Sequence, residues 1–580
     1  MKSKIYFIPA VIILLILLVA CEDYLNRTAT TDLTYDEVTN FFTYSGYRVA
    51  SIYASLQSEF LYIDEAMMAS ATDEAEHTLE TSAVQKFNIG SWNAFSNPND
   101  VWASNYKGIR KANQFLVSAD NVNLDLYKYD PQNQDVYLSR LAEIKRWKYE
   151  VRFLRAFFYF QLVERYGGVP LIKSAGSIND DYSTVKRDSL ATCIRFITRE
   201  CDSAAANLPV TYDNADLGRA TSGAALALKS RVLLYAASDL FNTPSWAGAY
   251  ANPELISLIG DRTAKWQAAA DAAKAVIDLA GTGYELASNY SELFSATNVS
   301  NSSVYSEIIF IRPSEASNSF ESANFPIGYD LGQSGTTPSQ NLVDEYEVKV
   351  DATTAVPFDW TNPAHAANPY SPAGTLGRDP RLGFTVLTDS TMYKGRLIEC
   401  FPGGKDGKPI ANATKTGYYL NKYVNSDIDL ITGTTSIHNW IFIRLPEIWL
   451  NYAEALNECQ PGNADIKTYV DKVRNRSGVD MPVLPAGLTQ SQMRNAIRHE
   501  RRVEFAFEDH RFWDVRRWML GTTYFNLPLK GIKITKHTGA PRSFEVITVE
   551  NRVFEPKMYL YPIPQNELFI AKGLIQNPLW

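Results

Sequence analysis

One stretch near the C-terminus, residues 498–518, holds the densest collection of side chains that could do chemistry. Its sequence, RHERRVEFAFEDHRFWDVRRW, combines carboxylates, arginines, two histidines and five aromatic residues. A catalytic interpretation would pair Glu504 or Glu508 with His510 as general base and acid. A zinc-protease interpretation fails, because His499-Glu500 is followed by Arg-Arg-Val and the second histidine of the HExxH motif is absent.

The spacing of the charges in this stretch favours a structural role. Glutamates and arginines each recur every fourth residue, which places them on two ridges of one helix. Like charges at this spacing repel, and the aromatic residues carry the helix into the core, so both ridges need partners of opposite charge. The candidate partners are Arg152, Arg155, Arg474 and Arg476. We predict a structural ionic network that includes Arg152, Arg155, Glu500, Arg501, Glu504 and Glu508.

A second acidic segment, Asp73-Glu74-Ala75-Glu76, has two functional interpretations. A pair such as Asp73 and Glu74 could hydrolyse a glycosidic bond, or the carboxylates could hold Ca²⁺. Surface acidity explains such a cluster more simply. We therefore expect no metal and no cofactor, and Ca²⁺ is left open because nothing in the spacing indicates it.

The N-terminus is typical of an exported lipoprotein. Lys2 and Lys4 precede the apolar run Ile5–Ala20, which is shorter than the roughly 20 residues of a membrane-spanning helix. Cys21 follows a Leu-Val-Ala sequence, as in a bacterial lipobox. We predict a signal peptide over residues 1–20 and acylation of Cys21, which would anchor the protein to a membrane. A plain secretory signal followed by a chance cysteine is the alternative.

Composition excludes two classes of site. The 56 Lys+Arg residues against 64 Asp+Glu give a net charge of −8, which lacks the basic excess of a nucleic-acid-binding protein. No CxxC pair occurs, so a thiolate zinc site is not expected. Cys201 lies on an apolar helical stripe and is expected to be a core thiol. The sequence leaves open the disulfide state of Cys193, Cys201, Cys400 and Cys459.

Helical periodicity dominates most of the chain outside its centre. Gly167-Gly168 ends a long helix, and Thr489 begins a capping box that opens the helix expected to contain residues 498–518. Paired helices with small-residue contacts indicate a mainly α, superhelical stack of TPR-like helix pairs, although no clean 34-residue repeat is visible. The predicted helices cover about 38–56, 101–119, 139–166, 220–238, 263–280, 446–457 and 464–476.

The centre of the chain has a different character. Between residues 284 and 439, Pro, Gly, Ser, Asn and Thr are dense and apolar runs are short, which predicts loops with a few short strands. A long irregular insertion on a helical scaffold usually carries a binding site. We therefore predict an N-terminal helical half over 21–283, a ligand-binding insertion over 284–439 and a C-terminal helical half over 440–580, together forming one compact domain.

Ten short motifs follow one another in a recognisable order. The most distinctive is RFLRAFFYFQLVERYGGVPL at residues 152–171, which resembles the helix-to-GGVPL signature of the SusD/RagB family. The remaining motifs resemble that family in the same order, and the set covers essentially the whole chain after the signal peptide. They lie at residues 106–113, 224–235, 337–346, 378–381, 443–457, 473–478, 500–508, 561–567 and 576–578.

The resemblance implies a right-handed α-superhelix of TPR-like helix pairs with a long loop-rich insertion. It also implies a lipid-anchored protein of the outer membrane that faces the cell exterior, and Glu22-Asp23 resembles the acidic export tag of Bacteroidetes surface lipoproteins. Members of the family capture oligosaccharide and deliver it to a SusC-like TonB-dependent transporter. No catalysis, cofactor or nucleic-acid partner is implied.

Sugar binding has a physical signature that can be sought in the loops. Pyranose rings stack on aromatic faces, and amides, carboxylates or arginines hydrogen-bond the hydroxyls. The early loop at residues 91–97 and the insertion both place aromatic residues among polar neighbours. No family motif fixes these positions, and each ring could equally be part of the core. The predicted ligand-binding residues are Trp92, Asn93, Phe95, Tyr329, Trp360 and Tyr370.

These observations favour a non-enzymatic, surface-exposed, glycan-binding lipoprotein paired with a transporter. One alternative is the same architecture carrying peptide or another non-glycan cargo. The other is an all-α glycoside hydrolase that uses Asp73 and Glu74. Neither stacking nor composition names the glycan.

Overall fold

A computed structural model describes residues 33–176, 180–213 and 216–580. The predicted signal peptide and Cys21 lie outside the described residues. The α-helices are α1 Tyr35–Asn40, α2 Phe42–Tyr53, α3 Gln85–Asn88, α4 Trp102–Ser118, α5 Asp125–Lys128, α6 Gln134–Tyr166, α7 Leu190–Ala205, α8 Ser222–Ala237, α9 Arg262–Ile277, α10 Ser302–Tyr305, α11 Ser319–Asn324, α12 Gln340–Val343, α13 Pro363–Ala367, α14 Arg381–Thr385, α15 Leu445–Cys459, α16 Ala464–Arg474, α17 Gln490–Glu504, α18 His510–Arg517, α19 Gly521–Tyr524 and α20 Gln565–Ile570.

The strands are short and pair two at a time, always antiparallel. The longest pair is the hairpin of β13 and β14, and β2 pairs with β12 at the two ends of the insertion. The strands are β1 Ala75–His77, β2 Ile308–Arg312, β3 Ala316–Ser317, β4 Thr336–Pro338, β5 Val348–Lys349, β6 Ala355–Val356, β7 Val386–Leu387, β8 Met392–Tyr393, β9 Arg396–Leu397, β10 Tyr419–Leu420, β11 Ser436–Ile437, β12 Trp440–Arg444, β13 Leu529–His537 and β14 Ala540–Glu550.

The long helices form a continuous stack. Each of α2, α4, α6, α7, α8 and α9 packs against the next in that order, and α9 then packs against α15 across the insertion. The stack ends with α16 and α17, which both pack on α15. The predicted mainly α, superhelical fold is therefore confirmed. The chain leaves the stack after α9 and returns directly onto it, so the insertion is built on a helical platform.

Local sequence explains where the stacked helices begin. Ser189, Thr221 and Asp261 each accept a hydrogen bond from a backbone N–H in the first turn of α7, α8 and α9. Thr489 forms the predicted capping box with Gln492 at the start of α17. These side chains satisfy donors that the first turn of a helix otherwise leaves without partners.

The Gly-Gly pair that ends α6 is required by close backbone approach. Gly167 has φ +75°, and a Cβ added there would lie 2.5 Å from the Leu255 carbonyl oxygen. A Cβ at Gly168 would lie 2.2 Å from the Asp188 carbonyl oxygen. No side chain fits either position, so the pair lets the chain turn from α6 towards α7 against neighbouring backbone.

The helix predicted to hold residues 498–518 is interrupted. α17 ends at Glu504, and α18 begins at His510 after a turn in which Phe507 and Asp509 have φ of +62° and +63°. Glu508 therefore lies in the turn rather than on the same helical ridge as Glu500 and Glu504. The prediction of one continuous helix is wrong, because the left-handed backbone conformation at two residues ends α17.

Candidate functional site

Residues 498–518 lie in the core, where Glu504 is at the centre of an ionic network. Its Oε1 accepts from Arg444 at 2.5 Å and from Arg476 at 3.2 Å, and its Oε2 accepts from Arg381 at 2.9 Å. Glu504 is fully buried. We call the set the Glu504 network, and its members are Glu307, Arg381, Lys422, Arg444, Arg474, Arg476, Glu500, Glu504 and Glu508.

The other glutamates of the network are engaged in the same way. Glu500 accepts from Arg381 at 2.6 Å and from Arg474 at 3.1 Å. Glu508 accepts from Arg444 at 2.7 Å and from the Lys422 ammonium at 2.7 Å. Because Glu307, Arg381 and Lys422 come from the insertion and the other members from the C-terminal part of the chain, the network ties these two regions together.

Opposing effects set the charge state of these carboxylates. Burial by itself raises the pKa of Glu504, but Arg444, Arg476 and Arg381 outweigh burial and hold the pKa far below its ordinary value of 4.5. His510, the partner in the catalytic interpretation, has its pKa lowered to about 4, chiefly by burial. A permanently ionised carboxylate and a buried neutral imidazole are not matched as an acid–base pair near neutral pH.

Three residues of the predicted network lie elsewhere. Arg152 and Arg155 pair with Glu200 of α7, at 2.8 and 2.6 Å, and thereby join α6 to α7. Arg501 pairs with Asp514 at 2.8 Å in a neighbouring cluster. The prediction that Arg152 and Arg155 are partners of Glu504 is thus corrected, because their helix faces α7 rather than α17.

The acidic segment at residues 73–76 is buried rather than on the surface. The Asp73 carboxylate pairs with Arg511 at 2.8 Å and with Arg502 at 3.0 Å. Glu76 pairs with Arg552 at 2.8 Å. Glu74 is 1% exposed, and its burial, followed by the neighbouring Asp73 charge, raises its pKa to about 8. Surface acidity is therefore the wrong explanation, because Glu74 is buried and the largely buried Asp73 carboxylate is paired with two arginines.

The described residues offer no other set of metal ligands. In that part of the chain, no group of three or more His, Cys, Asp or Glu side chains is arranged to hold a metal ion. The four cysteines there are free thiols, and Cys201 is fully buried, as expected. Over the same ranges, no helix combines the length and apolarity that crossing a bilayer requires.

Trp92 is a core residue and not an exposed platform. It is 2% exposed, and its ring packs against Phe87, Tyr561 and Trp580 with centroid distances of 5.0, 5.1 and 4.8 Å. The prediction that Trp92 stacks on a sugar is therefore corrected: neighbouring rings already cover the faces of the indole. Asn93 and Phe95, from the same loop, are exposed.

The three predicted residues of the insertion are also covered. Tyr329 is 5% exposed beneath the Arg396 guanidinium, whose carbon lies 3.7 Å from the ring centroid. The partly buried Trp360 donates through Nε1 to Asp344 at 3.0 Å. Tyr370, also partly buried, packs its ring edge-to-face on Phe544 at 5.6 Å. The structure does not bring these three residues together around one cavity.

The early loop forms one wall of a polar cleft of about 330 Å³. Phe95 stands at this cleft with 76% of its surface exposed. The loop is fixed, because Asn93 and Ser96 exchange two backbone hydrogen bonds of 3.1 Å and the Lys86 ammonium donates to Ser96 Oγ at 2.7 Å. We call this surface the early-loop cleft, and it is lined by Lys86, Ala94, Phe95, Ser96, Asn97, Pro98, Asp100, Pro562 and Pro564.

A larger cleft of about 390 Å³ lies within the insertion. Two segments, residues 291–297 and 421–427, form its sides. Phe384, Ser436 and His438 complete the lining. We call this surface the insertion cleft. It falls inside residues 284–439, the region predicted to bind ligand, yet sequence reasoning named none of its residues.

In the sequence, the insertion cleft is marked by polar residues rather than by aromatic ones. The segment Asn421-Lys422-Tyr423-Val424-Asn425-Ser426-Asp427 is rich in amides and hydroxyls, but only Tyr423 is aromatic and it is buried. A search for loop aromatics therefore selects Trp360 and Tyr370 instead. A search for polar segments that flank short strands would have included residues 421–427.

Comparisons with known proteins identify the family. The model of the SusD family matches residues 295–580. A second family model, described as starch-binding and associating with the outer membrane, matches residues 24–234. Together with the fold, these matches establish that the chain belongs to the SusD/RagB family.

Individual relatives support the same assignment. SusD-like protein P2 of Formosa agariphila is 25% identical over 503 residues, covering 85% of this chain and 82% of the relative. The crystal structure of a SusD-like protein from Bacteroides fragilis superimposes with a TM-score of 0.76 at 27% identity, covering 94% of this chain and 99% of that one. The fold is also that of a SusD-like carbohydrate-binding protein from the same species, which superimposes with a TM-score of 0.73 at 24% identity, with coverage of 93% and 99%.

Proposed function

We propose that this protein captures glycan at the early-loop cleft and delivers it, chemically unchanged, to a SusC-like transporter at the outer membrane. The observation that carries the proposal is the Phe95 ring, 76% exposed beside a polar cleft of about 330 Å³. An exposed ring among amide, hydroxyl, ammonium and carboxylate groups can stack on the apolar face of a pyranose while neighbouring groups bind its hydroxyls.

The rigidity of the early loop supports this role. Besides the hydrogen bonds between Asn93 and Ser96, the Gln565 backbone donates to the Ala94 carbonyl at 2.9 Å. Asp100 is held by Tyr166, whose hydroxyl donates to it at 2.8 Å. A ring on a fixed loop loses little conformational entropy when it binds, so a modest contact area can still give measurable affinity.

The acidic groups of the chain support a role without catalysis. A glycosidase needs two carboxyl groups that reach the scissile bond. Asp73 is committed to Arg502 and Arg511, Glu504 is committed to three arginines, and both are buried. The family relatives named as carbohydrate-binding point in the same direction.

Delivery to a transporter is supported by the family assignment and by exposed apolar side chains near the N-terminal end of the described chain. Aromatic and aliphatic side chains are exposed on α1, α2, α5 and α6 and at the residues that directly follow α1 and α5. Exposed apolar side chains that lie together mark interaction sites. The exposed side chains include Tyr35, Phe41, Tyr47, Leu126, Tyr129 and Leu138. Anchoring through Cys21 would hold the N-terminal end of the protein at the outer membrane.

Isothermal titration against a panel of polysaccharides tests the proposal. The wild-type protein is expected to bind at least one glycan, and Phe95→Ala is expected to weaken that binding by at least about tenfold, the loss of one stacking contact together with its buried apolar area. Phe569→Ala is the matched control, since Phe569 is 56% exposed and lies outside both clefts.

The same titration distinguishes glycan capture from peptide capture and, with an assay for reducing sugar, from hydrolysis. Binding of peptides in place of glycans, with loss in Phe95→Ala, would assign the cleft to peptide capture. Release of reducing sugar by the wild-type protein, abolished in Asp73→Asn, would replace capture by hydrolysis. Absence of binding to every glycan by a folded protein would overturn the proposal.

A further inference from the structure

The insertion cleft is a second concave surface that shares no lining residue with the early-loop cleft. Its lining combines a partly exposed ring, that of Phe384, with the amides of Asn421 and Asn425 and the hydroxyls of Ser295 and Thr297. These are the groups that recognise a sugar: a flat apolar face and several donors and acceptors that point in different directions.

One wall of this cleft is positioned by a buried carboxylate. Glu321 is fully buried, and its Oε1 accepts from the Asn425 backbone N–H at 3.0 Å and lies 2.9 Å from His438 Nε2. The Asn425 side chain in turn donates to Ser436 Oγ at 3.0 Å. The other oxygen of Glu321 is buried without a hydrogen-bond partner among the described residues. Through Oε1 alone, Glu321 orients both Asn425 and His438 and so fixes this wall of the cleft.

The floor of the cleft is strained. Tyr423 has φ +68°, a conformation that a bulky residue rarely adopts, and its ring is stacked on Trp440 with a centroid distance of 5.9 Å. Strained residues persist where the surrounding structure holds them, and they concentrate at ligand sites. Here the left-handed conformation turns the chain between Lys422, which points into the core, and Asn425, which lines the opening.

The charges around the cleft select the class of ligand. The ammonium of Lys422 is already bound by Glu508 at 2.7 Å and by the Ala506 carbonyl at 2.8 Å. His438 is turned towards Glu321, and Asp427 adds an exposed carboxylate at the rim. The Lys394 ammonium, which donates to the Ser426 and Ile428 carbonyls beside Asp427, is paired with Asp330 at 2.9 Å. Among the described residues around the cleft, an anionic sugar would therefore meet the Asp427 carboxylate without an unpaired cation to balance it, whereas the hydroxyls of a neutral sugar can use the amides directly.

We propose that the insertion cleft is a second glycan-binding site, specific for neutral pyranoses, which acts in addition to the early-loop cleft. Phe384 supplies the stacking face, and Asn421 and Asn425 supply hydrogen bonds to hydroxyls. This inference rests on the proposed function, because it takes the protein to be a glycan binder, but it uses a separate set of residues and can fail separately.

The test is a titration with short neutral oligosaccharides, maltotriose and laminaritriose, that are too small to be held by distant surfaces together. The wild-type protein is expected to bind two molecules per chain. Phe95→Ala and Phe384→Leu are each expected to leave one, and the double variant none. Leucine keeps the apolar contact of Phe384 with the Tyr290 ring, 5.7 Å away, so the variant removes the flat face and preserves the fold. Phe569→Ala again serves as the control.

Hydrogen exchange read by mass spectrometry locates the second molecule. In the Phe95→Ala variant, maltotriose or laminaritriose is expected to slow exchange in residues 291–297 and 421–427, and Asn425→Ala is expected to remove that protection. One molecule bound by the wild-type protein, lost in Phe95→Ala and unaffected in Phe384→Leu, would overturn the second site while leaving the proposed function intact. No binding of any neutral or charged glycan would overturn both. Protection of residues 421–427 only by an anionic polysaccharide such as alginate would overturn the neutral class.

Discussion

The Glu504 network and the early-loop cleft contain similar side chains and use them in opposite ways. In the network, one glutamate accepts from three arginines, and all of these groups are buried. In the cleft, the Phe95 ring is 76% exposed, and the neighbouring polar groups line a space of about 330 Å³. In the Glu504 network the polar groups bind one another, whereas the early-loop cleft leaves polar and aromatic surface open to a ligand.

This difference shows why a sequence segment that is dense in potentially catalytic residues is a poor guide to the position of an active site. Burying a charge costs several kcal/mol, and the cost is offset only when partners of opposite charge and good geometry surround it. A carboxylate that satisfies this condition with protein groups has no capacity left for a substrate. A polar residue can bind a ligand where part of its surface and some of its hydrogen-bonding capacity remain open.

The largest expected effect tests the network. Glu504→Ala leaves Arg444, Arg476 and Arg381 buried with one carboxylate fewer, and removing one partner of a buried ion pair costs about 3–5 kcal/mol. We expect the melting temperature to fall accordingly, while the affinity of the folded fraction for glycan stays within about twofold of the wild-type value. Thermal unfolding and titration on the same preparation measure both quantities.

A surface ion pair provides the matched control for this variant. Glu545 pairs with Lys533 on the β-hairpin, and both side chains are more than half exposed. Glu545→Ala is expected to cost no more than about 1 kcal/mol, as is usual for solvent-exposed pairs. If Glu504→Ala folds normally and loses glycan binding, the Glu504 network belongs to the binding site and its role is not structural.

Much of the scaffold could be predicted because its signals are local. Each of these signals lies within a short segment of sequence. They are the periodic apolar residues of α4, α6, α8 and α9, the N-terminal cap at Thr489 and the Gly167-Gly168 pair that ends α6. The requirement for partners around Glu500 and Glu504 also followed from local spacing. The identity of those partners did not, because Arg381 and Arg444 are distant in sequence and reach Glu504 only through the tertiary fold.

The candidate site was harder to predict, because exposure is a property of the folded chain. Trp92 and Phe95 are three residues apart in one loop, yet one is 2% and the other 76% exposed. Nothing in the local sequence distinguishes them. The cover of Trp92 comes from Tyr561 and Trp580, which are more than 400 residues away in the chain. The break after Glu504 was missed for a related reason, since the left-handed conformation falls on Phe507 and Asp509 rather than on glycine.

Replacing Trp92 allows a buried and an exposed aromatic residue of the same loop, Trp92 and Phe95, to be compared directly. Trp92→Ala removes a ring that packs on three aromatic neighbours, and such truncations of buried aromatic residues cost about 3 kcal/mol or more. We expect a lower melting temperature and nearly unchanged glycan affinity in the folded fraction, the opposite of the result expected for Phe95→Ala. Trp92→Phe, which fills part of the space, is expected to recover part of the stability. Loss of affinity in Trp92→Phe with normal stability would return Trp92 to the binding surface.

The last comparison concerns a buried acid that lacks the compensation found around Glu504. Burial and the adjacent Asp73 charge raise the pKa of Glu74 to about 8, above its ordinary value of 4.5. The folded chain therefore holds this proton more tightly than the unfolded chain does. The resulting contribution to stability is complete below about pH 4.5 and is lost as the pH rises towards about 8.

Glu74→Gln removes this titration while keeping the size of the side chain. Relative to the wild type, the variant is expected to gain stability between pH 5 and pH 8, by at most about 1.4 kcal/mol for each pH unit. Denaturant unfolding at several pH values measures the gain, and Glu545→Gln, at an exposed position, is the control that should show no such slope. The contribution of Glu504 to stability has the opposite pH dependence. Because the pKa of Glu504 is lowered in the folded chain, that contribution is lost as the pH falls. Equal slopes for the wild type and Glu74→Gln would mean that Glu74 is ionised and paired in the folded chain, so that it belongs with the compensated charges of the Glu504 network.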